Sequence, residues 1–358
     1  MILCSKCILP EYFVGIEFDK NNVCNYCRSY KKVAVKGQEA FFRVIDLYKV
    51  QGPYDCVVPL SGGKDSSYVL YAAKRLLGLN PLAVNYNNEF QHECAEKNIK
   101  GICKKLGVDL RVVHASNSRV KRYVREYIKG TLPFGAQGLS SYICINCVIG
   151  YMCSSLQIAK KLGISLILWG TSEDFPGKDF EMKTKISLCR IFFSRRMPNF
   201  LKMVLYHFRQ RLEFFTSFNN LFRLSRPRLE EDGIKEIRFY DYFDLSKKEI
   251  VRVLGEELDW QKPKTVSGIA HFDCILEPLV GYLYYQRLGY NDKISRYSDE
   301  IRAGYLTRDE ALRLLAEDKI GEYSPAVEHV LRELKLSDEE IGTIKSLQTR
   351  KPYYILPS

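Results

Sequence analysis

An α/β fold built on a doubly wound, mostly parallel sheet is what this 358-residue sequence predicts, and three observations carry the prediction. Short apolar runs alternate with helix-like stretches at βαβ lengths, a pattern that requires a parallel sheet covered on both faces. One of these runs, Tyr54 to Leu60, stops at a glycine pair and gives way at once to a helical pattern, which is the layout of a strand, an anion-binding loop and a helix. Beyond Trp260 the strand-like runs cease and the pattern is helical to the end, so a helical C-terminal region follows the sheet.

Composition narrows the class. Hydrophobic residues at 46% and charged residues at 27% are ordinary for a globular protein with a full core. No apolar run approaches the length of a membrane span, and the N-terminus lacks a charged segment followed by an apolar one. The expected compartment is therefore cytoplasmic. A net charge of +12 points to an anionic partner: nucleotide, nucleotide-sugar, RNA or an acidic membrane surface. Twelve cysteines in a reducing compartment are metal ligands and buried thiols rather than disulfides.

Taken in order, residues 1–31 hold Cys4-x-x-Cys7 and Cys24-x-x-Cys27, two knuckles sixteen residues apart. That is zinc-ribbon spacing, and four thiolates close a structural tetrahedron with no open position for catalysis. So short a stretch has no core of its own, and metal ligation would supply its folding energy. A short helix around Phe41, Phe42, Ile45 and Leu47 then opens a domain spanning 40–260. Its first strand is Asp55 to Leu60, with Pro59 tolerated near the end. Gly62 and Gly63 allow a tight turn and a close backbone approach to an anion. Ser66 and Ser67 are expected to cap the helix Tyr68 to Leu77. Further strands are read at Pro81 to Asn88, Asp109 to Ala115, Ser165 to Ser172 and Lys235 to Tyr242, with helices at Phe90 to Leu106 and Val148 to Leu162. Ser246 and Glu249 form a capping-box signature, as do Thr307 and Glu310 in the helical region 261–358.

The loop S-G-G-K-D-S-S at Ser61 to Ser67 is too short for a Walker loop. It resembles the pyrophosphate (PP) loop of the ATP pyrophosphatase superfamily. The resemblance implies that Ser61, Gly62, Gly63, Lys64, Asp65, Ser66 and Ser67 hold the triphosphate of ATP. Asp65 would bind Mg²⁺, and Lys64 would neutralise the leaving pyrophosphate. Ligands in such sheets sit at the carboxyl ends of the strands. Asn85, with Tyr86 and Asn87, therefore stands near the expected adenosine, and Gly170, Thr171 and Asp174 lie over the same crevice. For these last three, a turn ending in an aspartate cap is an equal reading. His114 is read as a strand-end or packing histidine.

Two further features remain open at this level. Cys144-x-x-Cys147 precedes a helix, where thiolates are favoured. Sulfur-inserting members of the superfamily carry such a pair, which with a distant third cysteine holds a [4Fe-4S] cluster. Cys274 is the candidate third ligand here, ahead of Cys153 and Cys189, and a pair of packing thiols is the competing reading. From Lys183 to Arg228 there are eleven Lys or Arg and one acidic residue, Glu213, interleaved with phenylalanines such as Phe214, Phe215 and Phe218. This insertion reads as an RNA-binding, membrane-surface or subunit-docking element, or as an amphipathic helical pair with an apolar core.

The motifs C-x-x-C-I-L-P, G-I-E-F-D, V-C-N-Y-C, S-G-G-K-D-S-S, G-T-S-E-D and I-R-A-G-Y-L-T-R-D-E-A-L together resemble the N-acetyl sugar amidotransferase family over most of the chain. The resemblance implies an enzyme that uses ATP to activate an amide or carboxyl oxygen of a sugar or nucleotide-sugar, with Zn²⁺ and Mg²⁺ as metals. Ammonia would come from a separate glutaminase subunit. Two features differ from that family: Gly170-Thr-Ser-Glu173 replaces a sequence closer to G-E-N, and the Cys144, Cys147 and Cys274 set suits the sulfur-inserting branch. The alternative expectation is therefore a tRNA thiolase-like enzyme with tRNA as partner.

Overall fold

The computed structural model describes residues 2–115, 119–132, 141–172, 233–263, 272–290, 292–317 and 322–347. The basic insertion 183–228, Asp174 and Cys189 lie outside the described residues. Five parallel strands form one sheet: β1 Cys56–Pro59, β2 Pro81–Asn87, β3 Leu110–His114, β4 Leu166–Trp169 and β5 Lys235–Arg238, in the order β3-β2-β1-β4-β5. The chain winds outward from β1 to β2 and β3, then crosses back to β4 and β5 on the other side. The order therefore reverses between β1 and β4, and it is outside the carboxyl ends of the strands at such a switch point that sheets of this kind bind ligands.

Side chains of the inner strands alternate between two cores, as the period-two geometry of a strand demands. Cys56 and Val58 of β1, Ala83 of β2, and Leu166 and Leu168 of β4 enter one cluster. Val57, Leu82, Val84 and Ile167 enter the cluster on the opposite face. The first face is covered by α2 Gln38–Tyr48, α3 Lys64–Tyr71, α4 Glu93–Leu106 and α7 Lys247–Leu258. The second is covered by α6 Ile145–Leu162, which packs so closely on β2 that a Cβ on Gly150 would collide with the Tyr86 ring. β1, β4 and the first part of β2 thus read as apolar runs in the sequence because both of their faces are buried, whereas the edge strand β3 is largely exposed and carries Arg111 and His114.

The remaining helices form a second body. α5 Arg119–Thr131 packs with α8 Glu277–Leu288, α11 Pro325–Glu333 and α12 Asp338–Lys345 around Phe90, Leu279, Tyr282 and Leu331. The N-terminal knuckles, including the short helix α1 Asn25–Arg28, lie against Leu288 and Tyr290 at the end of α8 and against Ile294 and Ile301 of α9 Asp292–Ala303. Ile8 joins Tyr297, Leu306 and Ala311, the last from α10 Arg308–Glu317. No helix among the described residues is long and apolar enough to cross a membrane.

Several boundaries differ from the expected ones. α3 begins at Lys64 with Gly63 as its N-cap, so Ser66 and Ser67 lie inside the first turn rather than capping it. Its end continues as a π-helical turn, Ala72–Leu76. Phe90 precedes α4, which starts at Glu93 after the cap residue His92; the Phe90 ring is fully buried in the second body instead. β5 ends at Arg238 because Phe239–Asp241 turn into a short 3₁₀ segment. Ser246 caps α7 by accepting from Glu249 N–H; the Glu249 carboxylate pairs with Arg252. Thr307 and Glu310 do form a reciprocal box, with bonds of 2.9 and 3.2 Å.

Candidate functional site

The loop between β1 and α3 sits at the switch point of the sheet. Gly62 adopts φ +82°, and a Cβ there would lie 2.5 Å from the Ala95 carbonyl oxygen of α4. Only glycine fits that conformation against that neighbour. The Gly62 carbonyl accepts from Trp260 Nε1 at 3.0 Å and from Asn98 Nδ2 at 3.3 Å, so two side chains distant in sequence hold the turn. Gly63 has no side chain to cap α3, so the N–H groups of the first turn have no side-chain cap. Ser66 Oγ accepts from Ser61 N–H at 3.1 Å and donates to the Gly63 carbonyl at 3.3 Å, closing the loop on itself. Tyr240 Oη, from the 3₁₀ segment after β5, donates to the Asp65 carbonyl at 3.1 Å and so fixes the same turn.

Within the loop, Lys64 Nζ pairs with Asp65 Oδ2 at 3.0 Å, and the lysine is 5% exposed. Ser67 is fully buried and its hydroxyl has no hydrogen-bond partner among the described residues. An uncapped helix end, a glycine turn a Cβ would block and an orphaned hydroxyl together fit a polyanionic ligand. The hard oxygen donors of Asp65 suit Mg²⁺.

The other expected positions are placed as follows. Asn85 is 2% exposed, and its Nδ2 donates to the Leu60 carbonyl at 2.8 Å and to Tyr151 Oη at 3.1 Å. Its amide nitrogen thus straps the ends of β1 and β2 together. Asn87 Oδ1 accepts from Glu89 N–H at 3.0 Å. Gly170 lies at the end of β4 against the loop itself, where a Cβ would stand 3.0 Å from Ser66 N. Packing alone is a reason for that glycine. The Thr171 carbonyl accepts from Tyr240 N–H at 3.3 Å. His114 ends the edge strand β3 and is exposed, a strand-end histidine rather than a packing one.

Two functional candidates were not visible as such in the sequence. Asp273, beside Cys274, lies over the loop: Gln91 and Cys274 form a β-bridge, His92 N–H donates to the Asp273 carbonyl at 3.0 Å, and Gln91 Nε2 reaches the Ser61 carbonyl at 3.2 Å. Burial pushes the Asp273 carboxyl up, while the Ser61 hydroxyl and the Lys64 ammonium hold it down. Tyr151, between Asn85 and this segment, is the second; burial pushes its phenol up and the Asp273 and Cys147 charges push the same way. The signal for Asp273 was its neighbour Cys274, and for Tyr151 the helix that carries the cysteine pair.

The structure also gathers the dispersed thiols. Cys144 caps α6, Cys147 lies in its first turn, and both bear electrostatically on Cys274, whose thiol burial pushes well up. Cys147 is pushed up to about 11 by burial, against a 3.2 Å hydrogen bond to its Sγ from Asn88 Nδ2. These three are not all within 4.8 Å of one another. Three thiolates on three irons of one cluster require wider spacing than a single ion does, so the trio fits such a group by donor type. Cys153, also on α6, is half-buried.

The N-terminal set is tighter. The Sγ atoms of Cys4, Cys7, Cys24 and Cys27 all lie within 4.8 Å of one another and are buried. Cys4 and Cys27 are 3.9 Å apart and Cys7 and Cys24 are 3.8 Å apart. A tetrahedron with metal–sulfur bonds of about 2.3 Å has edges of about 3.8 Å, so the set fits one ion rather than a cluster. Cys7 N–H and Cys24 N–H both donate to Cys4 Sγ, at 3.4 and 3.3 Å, and Arg302 Nη1 reaches Cys7 Sγ at 3.6 Å. These donors offset the charge of a tetrathiolate centre.

Comparison with known proteins adds three findings. Residues 266–354, which include Asp273, Cys274 and α8 to α12, match the family described as LPS biosynthesis protein WbpG-like, C-terminal domain. An uncharacterized protein of Methanocaldococcus jannaschii is 22% identical over 295 residues, covering 82% of this chain and 83% of its own length. Among solved structures, the U34-tRNA thiolase NcsA from Methanococcus maripaludis, with its [4Fe-4S] cluster, aligns over 94% of this chain and 90% of that one, at 15% identity and a TM-score of 0.36.

Proposed function

We propose that this protein is an ATP-dependent amidotransferase, forming AMP and pyrophosphate, that acts on a sugar-type acceptor. The observation that carries the proposal is the loop Ser61 to Ser67 at the sheet's switch point, with Gly62 turned at φ +82° and α3 left without a side-chain cap. Such a loop holds a pyrophosphate group rather than a base or sugar. The sugar acceptor is supported by the match of residues 266–354 to the WbpG-like domain of LPS biosynthesis.

In the proposed reaction an amide or carboxyl oxygen of the acceptor attacks the α-phosphorus of ATP, and the bond from that phosphorus to the bridging oxygen breaks. Pyrophosphate leaves into the donors of the loop, with Lys64 released from Asp65 to neutralise it. Ammonia then adds to the activated carbon, and AMP departs with the acceptor's oxygen as protons pass to solvent. Mg²⁺ at Asp65 would screen the triphosphate charge throughout. A zinc ion held by Cys4, Cys7, Cys24 and Cys27 would be structural, because four thiolates complete its shell. The ammonia source is a separate glutaminase subunit.

The test uses an N-acetylated nucleotide-sugar labelled with ¹⁸O in its acetamido carbonyl, together with ¹⁵N-ammonium and ATP. The expected result is ¹⁸O in AMP, ¹⁵N in the sugar and one pyrophosphate per turnover. Pyrophosphate release that is indifferent to every N-acetyl sugar and sugar acid tried would refute the acceptor class. A second reading is favoured by one observation, the gathering of Cys144, Cys147 and Cys274 beside Asp273: the same adenylation of tRNA followed by sulfur delivery through a [4Fe-4S] cluster. Anaerobically purified protein with about four irons and sulfur transfer to tRNA would place it ahead; zinc alone supports amidation.

A further inference from the structure

The phosphate loop faces a second carboxylate. Asp273 Oδ2 lies 3.2 Å from the point a Cβ on Gly63 would occupy, and its carboxylate accepts a hydrogen bond from the Ser61 side chain. Lys64 and Asp65 are the charged groups that bear on it. Gly63 is the N-cap of α3, so Asp273 stands beside the open end of that helix, on the path the phosphates of a nucleotide must take. Its backbone is held there, by His92 N–H on its own carbonyl at 3.0 Å and by the bridge between Gln91 and Cys274.

A fixed carboxylate and a polyphosphate repel each other in so small a space unless a cation lies between them. Magnesium is typically bound by one or two carboxylates with phosphate oxygens and water completing its shell. We infer that Asp273 is a metal-binding residue of this site, holding the divalent cation of the nucleotide from across the loop while Asp65 holds it from within. The inference rests on the proposed reading of the loop as an ATP site. It also gives the Lys64–Asp65 pair a purpose: a cation taken up by Asp65 and Asp273 frees Lys64 Nζ from its 3.0 Å contact and leaves it to the pyrophosphate.

The test is a Mn²⁺ titration of the full chain followed by electron paramagnetic resonance, in the presence of α,β-methylene-ATP, which cannot be cleaved at the reacting bond. Asp273→Asn is expected to weaken Mn²⁺ binding at least tenfold and Asp273→Glu to restore part of it. Binding of the analogue in EDTA should be unchanged or tighter. Thermal melts establish that the variants fold, and Asp273→Ser replaces the Asn variant if that one does not. Mn²⁺ affinity unchanged in Asp273→Asn, with Asp65→Asn impaired, overturns the role of Asp273 and leaves the ATP site standing. A wild-type chain that binds neither the analogue nor Mn²⁺ with it overturns both.

Discussion

Replacing Gly62 by alanine tests the loop at its tightest point. Two costs arise, and a second glycine separates them. The first is backbone strain: φ is +82° at Gly62 and also +82° at Gly304, between α9 and α10, and a left-handed alanine costs about 1–2 kcal/mol. At Gly304 nothing lies within 4 Å of the added Cβ, so strain is the whole cost. At Gly62 the added atom would stand 2.5 Å from the Ala95 oxygen and 3.0 Å from two further backbone atoms, none of which a rotamer change can move. The loop must retreat by about 0.9 Å to reach ordinary contact. That displacement strains the bonds from Trp260 and Asn98, each worth about 1 kcal/mol. Gly62→Ala should therefore cost about 3–5 kcal/mol in urea denaturation, against about 1–2 for Gly304→Ala. Nucleotide affinity, read with a fluorescent ATP analogue, should fall about 10- to 100-fold, the loss of one charge-assisted hydrogen bond. Equal destabilisation in the two variants, with affinity intact, would refute the packing argument.

Other expectations follow from single contacts. Cys24→Ser should remove most of any metal held by the four-cysteine set, measured by elemental analysis, and lower the melting midpoint, because the set loses one of its four thiolates. Ser337→Ala should cost about 1 kcal/mol, since Ser337 and Glu340 form a complete capping box on α12. Glu340 also carries a pH signature: hydrogen bonding from Ser337 N–H, with Lys129 nearby, holds its carboxyl below the usual range. A depressed carboxylate contributes stability above its unfolded pKa that is lost as pH falls through the folded one. Glu340→Gln should thus be less stable than wild type at pH 7, and the gap should narrow as the pH falls below the usual carboxylate range; a gap that widened in acid would reverse the assignment.

The inner strands were legible because β1, β4 and the first part of β2 are buried on both faces and read as apolar runs; the exposed edge strand β3 was legible from its place in the alternation of strands and helices. The loop was legible because its seven residues are contiguous. What could not be read is the tertiary support of that loop. Trp260 and Tyr240 come from beyond β4, nearly two hundred residues away, and no local period connects them to Gly62 and Asp65. Asn98 did leave a trace: it is a buried polar residue in the apolar stripe Ala95, Ile99 and Ile102 of α4, an anomaly that marks a specific partner. Gly170 and Asn85 carry a structural role beside the expected ligand contact: a Cβ on the first would press on the Ser66 backbone, and the Nδ2 of the second donates to the Leu60 carbonyl and Tyr151 Oη. Position at a strand end indicates nearness to the crevice, not what a side chain does there.

The two ends of the chain converge through α8. Its N-terminal side follows directly from Asp273 and Cys274, beside the loop Ser61 to Ser67; its C-terminal side delivers Leu288 and Tyr290 into the cysteine knuckle, where Tyr12 Oη donates to the Gly289 carbonyl at 3.0 Å. Twelve helical residues span about 18 Å, so the helix is a strut with the tetrathiolate set at one end and the proposed cation ligand at the other. Arg302 and Arg308 bolt the knuckle down further, the first on Cys7 Sγ and the second on the Cys4 and Cys7 carbonyls at 3.3 and 3.1 Å. The knuckle stretch is too small to hold a core by itself, but Leu288, Tyr290, Tyr297 and Leu306 give it one. A metal held by the four thiolates would then have a physical role in the proposed chemistry: fixing the far end of α8 limits the positions open to Asp273 at the near end, and the precision of the proposed two-carboxylate cation site would depend on such support.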